Sequence, residues 1–389
     1  MGRTRSTGID VLRGALALWV FIFHLFIWAE ITTGATGFLL DLNHTFIDVF
    51  VGDFETHPAV VGFIVLSGYC IHRNGLRHSD SDVAAYGIRR AFRILPVYFL
   101  ATAAGVASYY YVDGHHELLA TGMTAAQGIT ADGLLAKLTG SAAFIPSQYP
   151  STYLGNPILA TVMVEIWLYV FYAAAVTLLL RTRLRESWLW AGIGVAWIGG
   201  VVWVNGHYGD WSWWHNGSLI GFLPYWWLGA KLNDPGFASW MRRLLPVALV
   251  GWIALTVLLM NDTTSSTFAI DGRLLLLAAI MGNLIVFLDG AVRGAVERAL
   301  RLPGRVGLAG YSIYAFHSPI LIALLVAGVD WWVTGLITLA SCLAIFVLYE
   351  RPLWRLGRRI ATEKRGRRDH REPAGVPLEG QPLAARPRT

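Results

Sequence analysis

Ten stretches of the chain are apolar over most of their length, and polar residues collect between them. A helix needs about 20 predominantly apolar residues to cross the roughly 30 Å hydrocarbon core of a bilayer. The pattern therefore predicts an all-α, polytopic membrane protein with about ten transmembrane helices. We place these helices at residues 9–29, 58–72, 93–112, 157–180, 187–204, 216–231, 245–260, 273–289, 311–328 and 331–349.

The distribution of basic residues in the connections predicts the orientation. Cytoplasmic loops of membrane proteins carry an excess of Lys and Arg. If Arg3 and Arg5 are cytoplasmic, most of the other basic residues fall on the same side, including the arginine-rich segment that follows Arg351. The opposite side keeps Lys137 and Arg273. We therefore expect both the N- and the C-terminus to be cytoplasmic.

Composition agrees with a membrane location. Hydrophobic residues make up 55% of the chain and charged residues 14%, with a mean hydropathy of +0.50. The net charge of +6 points to anionic lipid headgroups at the inner surface, so no nucleic-acid partner is expected. Cys70 and Cys342 both fall in apolar stretches, where thiols are usually packing groups.

The first apolar stretch, residues 9–29, contains Arg13 and His24. Eleven residues at about 100° each put both side chains on one face of a helix, roughly 16 Å apart. A charge near the middle of a membrane helix costs on the order of 2.5 kcal/mol or more, so the spacing predicts a polar track. His24 could take a proton there or could simply bond to a neighbouring helix. Arg13 could instead pair with Asp10, three residues earlier.

Three arginines lie at the start of the third apolar stretch or just before it: Arg89, Arg90 and Arg93. Arg90 and Arg93 are one helical turn apart and face the same way. Arginines at a membrane boundary are often anchors whose heads reach the headgroup region. The same cluster also suits a ligand with several phosphates, because a guanidinium group binds phosphate oxygens in pairs. The sequence leaves both interpretations open.

Two more polar groups lie where an apolar helix is expected. Glu165 is in the fourth stretch, and a carboxylate there needs a partner, which could be Arg90, Arg93 or His24. His317 is near the start of the ninth stretch, two residues before a proline. Both are candidates for a functional site.

The sequence gives little support for a metal or a permanently bound cofactor. His44, Asp48, Asp53 and His57 share one expected outer loop, but their spacing is not that of a known metal site. The chain lacks a Gly-x-Ser-x-Gly elbow, a Gly-x-x-x-x-Gly-Lys loop, a His-Glu-x-x-His motif and a Cys-x-x-Cys pair. We therefore expect no metal and no permanently bound cofactor.

Most of the 17 tryptophans are expected at the membrane–water boundaries, where Trp and Tyr collect. The pairs at 226–227 and 331–332 are placed there. Three others, in an expected outer turn, could stack on a sugar ring: Trp211, Trp213 and Trp214.

Five segments occur in a suggestive order: IDVLRG at 9–14 leading to Phe23 and His24, FIVLSGY at 63–69, RRAFRILP at 89–96, YSIY at 311–314 with His317, and ERP at 350–352. Together they resemble the acyltransferase family 3 membrane proteins, over residues 8 to about 355. One feature departs from the family: its usual Trp-Ser-Leu run before the fourth-span glutamate is replaced by residues 160–162, Ala-Thr-Val.

The resemblance implies a ten-helix enzyme in the cell membrane, expected to be a bacterial cytoplasmic membrane. Such an enzyme moves an acyl group, commonly acetyl, from cytoplasmic acyl-CoA to a hydroxyl group. The expected acceptor is a cell-surface glycan, a lipid-linked sugar or a macrolide-like metabolite, and acetyl-CoA is the expected donor substrate.

The resemblance also implies roles for individual residues. We expect His24 to be catalytic, with Arg13 as its companion, and Glu165 is a third candidate. The residues expected to bind the coenzyme are Arg89, Arg90, Arg93, Tyr311 and His317. We further expect residues 1–355 to form the membrane domain and residues 356–389 to form a basic, disordered cytoplasmic tail.

Three alternatives remain at this point. His24 could act as a general base on the acceptor, or it could be acylated first and then pass the group on. A proton-coupled transporter would also use buried Arg, His and Glu side chains. A non-catalytic sensor with the same fold would bind the ligand without turning it over.

Overall fold

The computed structural model describes residues 6–50, 56–74, 83–112, 156, 158–182, 184–208, 218–261 and 267–369. Within these residues the regular elements are all helical, as expected. They are α1 (Thr7–Thr33), α2 (Phe38–Phe50), α3 (Pro58–Asn74), α4 (Val83–Val112), α5 (Leu159–Arg181), α6 (Glu186–Tyr208), α7 (Leu219–Lys231), α8 (Pro235–Asn261), α9 (Thr267–Ala291), α10 (Gly294–Ala299), α11 (Arg301–Val306), a 3₁₀ turn (Gly307–Ala309), α12 (Gly310–Val326), α13 (Trp331–Ile345), a π turn (Phe346–Glu350) and α14 (Arg351–Asp369).

Each of the ten predicted spans coincides with a helix. Seven helical segments in the described part of the chain are long and apolar enough to cross a membrane. They contain α1, α4, α5, α8, α9, α12 and α13. The other three predicted spans correspond to α3, α6 and α7, which do not meet this criterion. The 13 residues of α7 extend only about 20 Å, less than the thickness of the hydrocarbon core.

Helix α12 is the most enclosed of the seven segments, and α8 is the most peripheral. Helix α12 packs against α1, α4 and α13, while α3 packs against α7 and α9. Buried residues from α1, α3, α4, α5, α7 and α12 belong to one hydrophobic core. The polar residues predicted to be functional lie on these central helices, so they are surrounded by protein.

Helices α3 and α7 cross with their backbones nearly in contact. A Cβ atom on Gly68 would lie 1.9 Å from the carbonyl oxygen of Trp226, and one on Gly229 would lie 2.0 Å from that of Val65. Only glycine fits at both positions, since small residues let membrane helices approach this closely. The crossing also lets Trp226 Nε1 donate to Ser67 Oγ at 3.3 Å. The indole of Trp226, which we expected at a membrane boundary, is fully buried in the protein. The neighbouring Trp227 is buried as well.

A buried asparagine compensates for the proline in α12. Because Pro319 has no N–H group, the carbonyl of Ala315 one turn earlier loses its helical partner. Asn156 Nδ2 donates to this carbonyl at 2.9 Å, and it also lies 3.3 Å from the carbonyl oxygen of Ala101 in α4. The asparagine thereby ties α12 to α4 close to His317.

The C-terminal region is more ordered than we expected. Helix α14 continues to Asp369, so residues 356–369 of the predicted disordered tail are helical. This helix packs along α4, where a Cβ atom on Gly357 would lie 2.3 Å from Phe92 Cβ. The packing of this amphipathic helix against α4 is a tertiary contact, and the basic composition of the tail does not indicate it. Residues 370–389 lie outside the described part of the chain.

Several other sequence-based expectations fall on residues that the structure does not describe. These are the sugar-stacking candidates Trp211, Trp213 and Trp214, as well as Asp53 and the side chain of Asp48. Of the remaining two residues considered as metal ligands, His44 pairs with Glu30 at 2.7 Å, and His57 is buried.

Candidate functional site

A cavity of about 100 Å³ lies among α1, α3, α4, α5 and α12. Three arginines line it: Arg13 from α1, and Arg90 and Arg93 from α4. A group of guanidinium ions in such surroundings suits an anion with several charges. The cavity is also lined by the polar or titratable residues Ser67, Cys70, Thr161, Glu165, Tyr169, Tyr311 and Tyr314.

A wider vestibule of about 390 Å³ adjoins this cavity. The two spaces share Arg13, Cys70, Arg90 and Arg93 in their walls. The vestibule is additionally lined by Ser6, Asp10, Arg73, Arg89, Glu350, Trp354 and Arg358. Arg13, Arg89, Arg90 and Arg93 thus all line one or both of two adjoining spaces.

Arg13 pairs with Asp10 and also lines the cavity. Its Nη1 atom pairs with Asp10 at 3.0 Å, as the three-residue spacing predicted. Its Nη2 atom lies 3.6 Å from the sulfur of Cys70 on α3. The ion pair holds the guanidinium group in place without removing it from the cavity wall.

Arg90 and Arg93 are held by aromatic rings. The guanidinium of Arg90 lies 6.0 Å from the ring centre of Tyr86 and 5.9 Å from that of Tyr169. The guanidinium of Arg93 lies 5.4 Å from the ring centre of Trp354 in α14. In the described part of the chain, neither arginine forms an ion pair with a carboxylate. Their hydrogen-bonding groups therefore remain available to an anionic ligand.

Glu165 lies in the wall of the cavity that faces the arginines. Its carboxylate accepts hydrogen bonds from Ser67 Oγ at 2.8 Å and from the hydroxyl of Tyr169. Ser67 in turn accepts the bond from Trp226, so α3, α5 and α7 share one polar network. We expected an arginine or His24 as the partner of Glu165, and the structure gives it two hydroxyl groups instead.

A second buried carboxylate borders the vestibule. Glu350 ends the π turn and accepts a hydrogen bond from Ser312 Oγ at 2.5 Å. The neighbouring Tyr311 donates from its hydroxyl to the carbonyl of Ile94 at 3.3 Å. These two bonds connect the start of α12 to the π turn and to the arginine-bearing helix α4.

His24 and His317 meet across α1 and α12. His317 Nε2 lies 3.2 Å from His24 Nδ1, and the ring centres are 5.1 Å apart. Each Nδ1 atom also contacts a carbonyl oxygen one turn earlier in its own helix. The distance is 2.9 Å from His24 to Val20 and 2.8 Å from His317 to Ile313.

These contacts determine which ring nitrogens carry protons. A carbonyl oxygen can only accept, so Nδ1 of each neutral histidine must be the donor. His317 Nε2 is then an acceptor, and the Nδ1–H group of His24 is shared between it and Val20. The lone pair of His24 consequently lies on Nε2, which is the atom able to receive a proton.

The histidine pair does not line the cavity, but an aromatic side chain connects the two. The ring of Tyr314 forms part of the cavity wall, and its centre is 6.3 Å from that of His317. Phe63, also in the wall, lies 5.4 Å from Tyr314 between ring centres. Among the described contacts, Tyr314 is thus the link from the cavity to the histidines.

The structure places the residues of the expected assignments in two groups. His317, which we expected to bind the coenzyme, contacts His24. Glu165, which we expected to be catalytic, lines the cavity together with Arg13, Arg90 and Arg93. Arg89 lies in the wall of the vestibule and Tyr311 in the wall of the cavity.

Other residues of the site were not identified from the sequence. Ser67 was noted only as part of a family-like segment, and Arg358 was assigned to the tail. The spacing of Trp354 and Arg358, one turn apart, was the available signal that one face of α14 lines the vestibule. His57 was considered only as a metal ligand, yet its ring packs on Phe23, next to His24.

Comparison with known proteins gives one informative match. No curated protein and no solved structure matches the chain. The family model described as an acyltransferase domain, Acyl_transf_3, matches residues 6–350, which include α1 through the π turn and every residue of the histidine pair and the cavity wall. The chain therefore belongs to this acyltransferase family.

Proposed function

We propose that this membrane acyltransferase takes an acyl group, commonly acetyl, from acyl-CoA on the cytoplasmic side and transfers it to a hydroxyl group on the other side. The acceptor hydroxyl belongs to a sugar of a cell-surface glycan, a lipid-linked sugar or a macrolide-like metabolite. The reaction is an O-acylation, and the coenzyme leaves as a free thiol.

One observation carries this proposal: Arg13, Arg90 and Arg93 converge on a single cavity, and the same three arginines also line the vestibule together with Arg89. Coenzyme A carries several phosphate charges, and guanidinium groups bind phosphate oxygens in pairs. Arg90 and Arg93 supply their hydrogen bonds to the coenzyme because no described carboxylate forms an ion pair with them. The excess of basic residues in the connections supports a cytoplasmic vestibule.

The thioester end of the coenzyme then extends past Tyr314 toward the histidine pair. Arg13 and His24 lie on one face of α1, roughly 16 Å apart along its axis. The phosphates can therefore stay with the arginines while the acyl group reaches His24. No second carrier is needed to bring the acyl group to the far side of the site.

His24 provides the acid–base chemistry in this proposal. Its Nε2 atom takes the proton of the acceptor hydroxyl as the oxygen attacks the thioester carbonyl. The carbon–sulfur bond breaks, and the same proton then passes to the departing thiolate of the coenzyme. In the alternative route, Nε2 attacks first and forms an acyl-imidazole, which the hydroxyl then opens. The lone pair on Nε2 serves both routes.

The decisive experiment uses inverted membrane vesicles that contain the full-length protein and the acceptors of the native cell. Acetyl-CoA labelled in the acetyl group is added, and both free thiol and acetylated product are measured. The wild-type protein is expected to release thiol in step with product. His24→Ala should lower that rate by roughly 10² to 10⁴-fold, the usual contribution of a general base. His44→Ala, which changes an exposed histidine, serves as the matched control.

Each other result has a definite meaning. Wild-type vesicles that release no thiol would contradict the proposed donor. Movement of a solute across the membrane without thioester consumption would favour a transporter, and coenzyme binding without turnover would favour a sensor. Label that stays on the protein when acceptor is withheld would identify the acyl-histidine route.

A further inference from the structure

A third histidine, His57, lies close to the pair formed by His24 and His317. Its ring centre is 4.6 Å from that of Phe23 and 5.2 Å from that of Trp19. Phe23 is next to His24 in α1, with 5.1 Å between their ring centres. The three histidines come from α1, α12 and the residue before α3, and the ring of Phe23 contacts both His57 and His24.

The proton of His57 can be assigned from its role at the start of α3. His57 precedes Pro58, the first residue of that helix, and its Nδ1 atom accepts a hydrogen bond from the backbone N–H of Ala59 at 3.1 Å. An N–H donor requires a lone pair on Nδ1, so in the neutral ring the hydrogen is on Nε2. The helix cap thereby makes Nε2 a donor.

This donor is buried and has no hydrogen-bond partner among the described residues. His57 is 8% exposed, and its Nε2 atom belongs to the buried side-chain atoms without a partner. Buried polar groups in proteins are nearly always hydrogen-bonded, and exceptions are associated with catalytic sites or bound molecules. The Nε2–H group of His57 is thus a fixed donor that lacks an acceptor among the described residues. It lies near His24, the residue proposed to be the base.

We propose that the Nε2–H group of His57 donates a hydrogen bond to the carbonyl oxygen of the thioester during acyl transfer. This inference rests on the acyltransferase function proposed above. His24 Nε2 accepts a proton, so it interacts with the acceptor hydroxyl. The carbonyl oxygen, which becomes negatively charged as the hydroxyl attacks, needs a donor instead. His57 supplies that donor, and the two histidines have the two complementary tautomers that the reaction requires.

The step balances with these groups alone. The acceptor oxygen forms a bond to the carbonyl carbon and gives its proton to His24 Nε2, while the carbonyl electrons move to the oxygen that His57 stabilises. The electrons then return, the carbon–sulfur bond breaks, and the thiolate takes the proton from His24. His57 keeps its own proton throughout and acts only as a hydrogen-bond donor.

Two amide variants separate this role from the structural role of the ring. The oxygen of Asn at position 57 can replace Nδ1 as the helix cap, but its amide nitrogen does not reach as far as Nε2. The longer Gln side chain carries its amide N–H about as far from the backbone as Nε2. His57→Asn therefore removes the distant donor while keeping the cap, and His57→Gln restores a donor there.

The test measures thiol release from acetyl-CoA by the full-length protein in native membrane vesicles, together with the unfolding temperature of the purified protein. Binding of the thioether analogue of acetyl-CoA, in which an added methylene group prevents transfer, is measured in parallel. We expect His57→Asn to slow thiol release on the order of 10²-fold, with unchanged analogue binding and unfolding temperature. His57→Gln should recover a substantial part of that loss, and the exposed-surface control His44→Asn should leave the rate unchanged.

The inference is overturned if His57→Asn releases thiol at the wild-type rate. That result would mean that Nε2 of the wild-type protein bonds to a water molecule or to nothing during the reaction. It is also overturned if both amide variants fold and bind the analogue normally but are equally slow, because a restored donor should recover activity. A wild-type protein that releases no thiol contradicts the acyltransferase reaction itself, and the two failures are therefore distinguishable.

Discussion

The Nε2 atom of His317 lies 3.2 Å from Nδ1 of His24. The Nδ1–H group of His24 is shared between this atom and the carbonyl oxygen of Val20. This contact joins α12, which belongs to the most enclosed of the seven long apolar segments in the described part of the chain, to α1. The orientation of the His24 ring therefore depends on how α1 and α12 pack together. In the proposed reaction His317 therefore acts through His24 as a positioning residue.

Removing the acceptor on His317 should lower turnover without affecting coenzyme binding. An ordinary hydrogen bond contributes about 1 kcal/mol, so His317→Leu is expected to reduce thiol release roughly fivefold to tenfold. His317→Gln, whose amide oxygen can accept from His24, should be less impaired. The rates and the affinity for the thioether analogue are measured side by side. Equal rates in the wild type and the leucine variant would show that Val20 alone orients the ring.

The arginines of α4 should control affinity for the coenzyme. Arg93→Ala is expected to weaken binding of the thioether analogue by about ten- to a hundredfold, since a charged hydrogen bond contributes about 1.5–3 kcal/mol. Arg93→Lys should recover only part of the loss, because an ammonium group cannot form the paired bonds. Binding is measured by calorimetry at two salt concentrations. Arg243→Ala, on the exposed surface of α8, is the control, and similar losses in both alanine variants would contradict a specific site.

Cys70 offers a direct probe of the cavity, since its side chain lines both the cavity and the vestibule. Desulfo-CoA, which has no thiol, should slow alkylation of Cys70 by N-ethylmaleimide at least severalfold when it occupies the site. The measurement is made in a Cys342→Ser background so that one thiol reacts, and the modified peptide is quantified by mass spectrometry. A rate that is independent of desulfo-CoA would place the coenzyme elsewhere.

Asn156 should be important for stability. Asn156→Leu keeps a similar volume but removes both side-chain donors, and it leaves the carbonyl of Ala315 without a partner beside Pro319. Such a buried, unsatisfied carbonyl costs about 1–3 kcal/mol. We expect a lower unfolding temperature in detergent and a lower rate of thiol release, because the same turn of α12 carries His317. An unchanged unfolding temperature would show that another group replaces the amide.

The sequence predicted the helices well because membrane-spanning segments are defined by local composition. Helical periodicity also placed Arg90 and Arg93 on one face of the same helix. Spacing along a single helix was sufficient for the Arg13–Asp10 pair. These predictions required no knowledge of which helices are neighbours.

The contacts between helices could not be predicted in this way. Nothing in the spacing of α12 indicates that His317 faces His24 on α1. Composition likewise does not reveal the close crossing of α3 and α7 that buries Trp226. The proposed role of His57 depends on a helix cap and on burial, and both become visible only in three dimensions.

The contact of bare backbones at Gly68 and Gly229 has a dynamic consequence. Two helices that touch through their main chains cannot slide past each other without collision, so the wall carrying Ser67 and Trp226 behaves as a rigid frame. Breathing motions that admit a long, narrow substrate must then arise on the opposite wall. On that wall the guanidinium groups of the α4 arginines contact aromatic rings, and these side chains can rotate while the helices remain fixed.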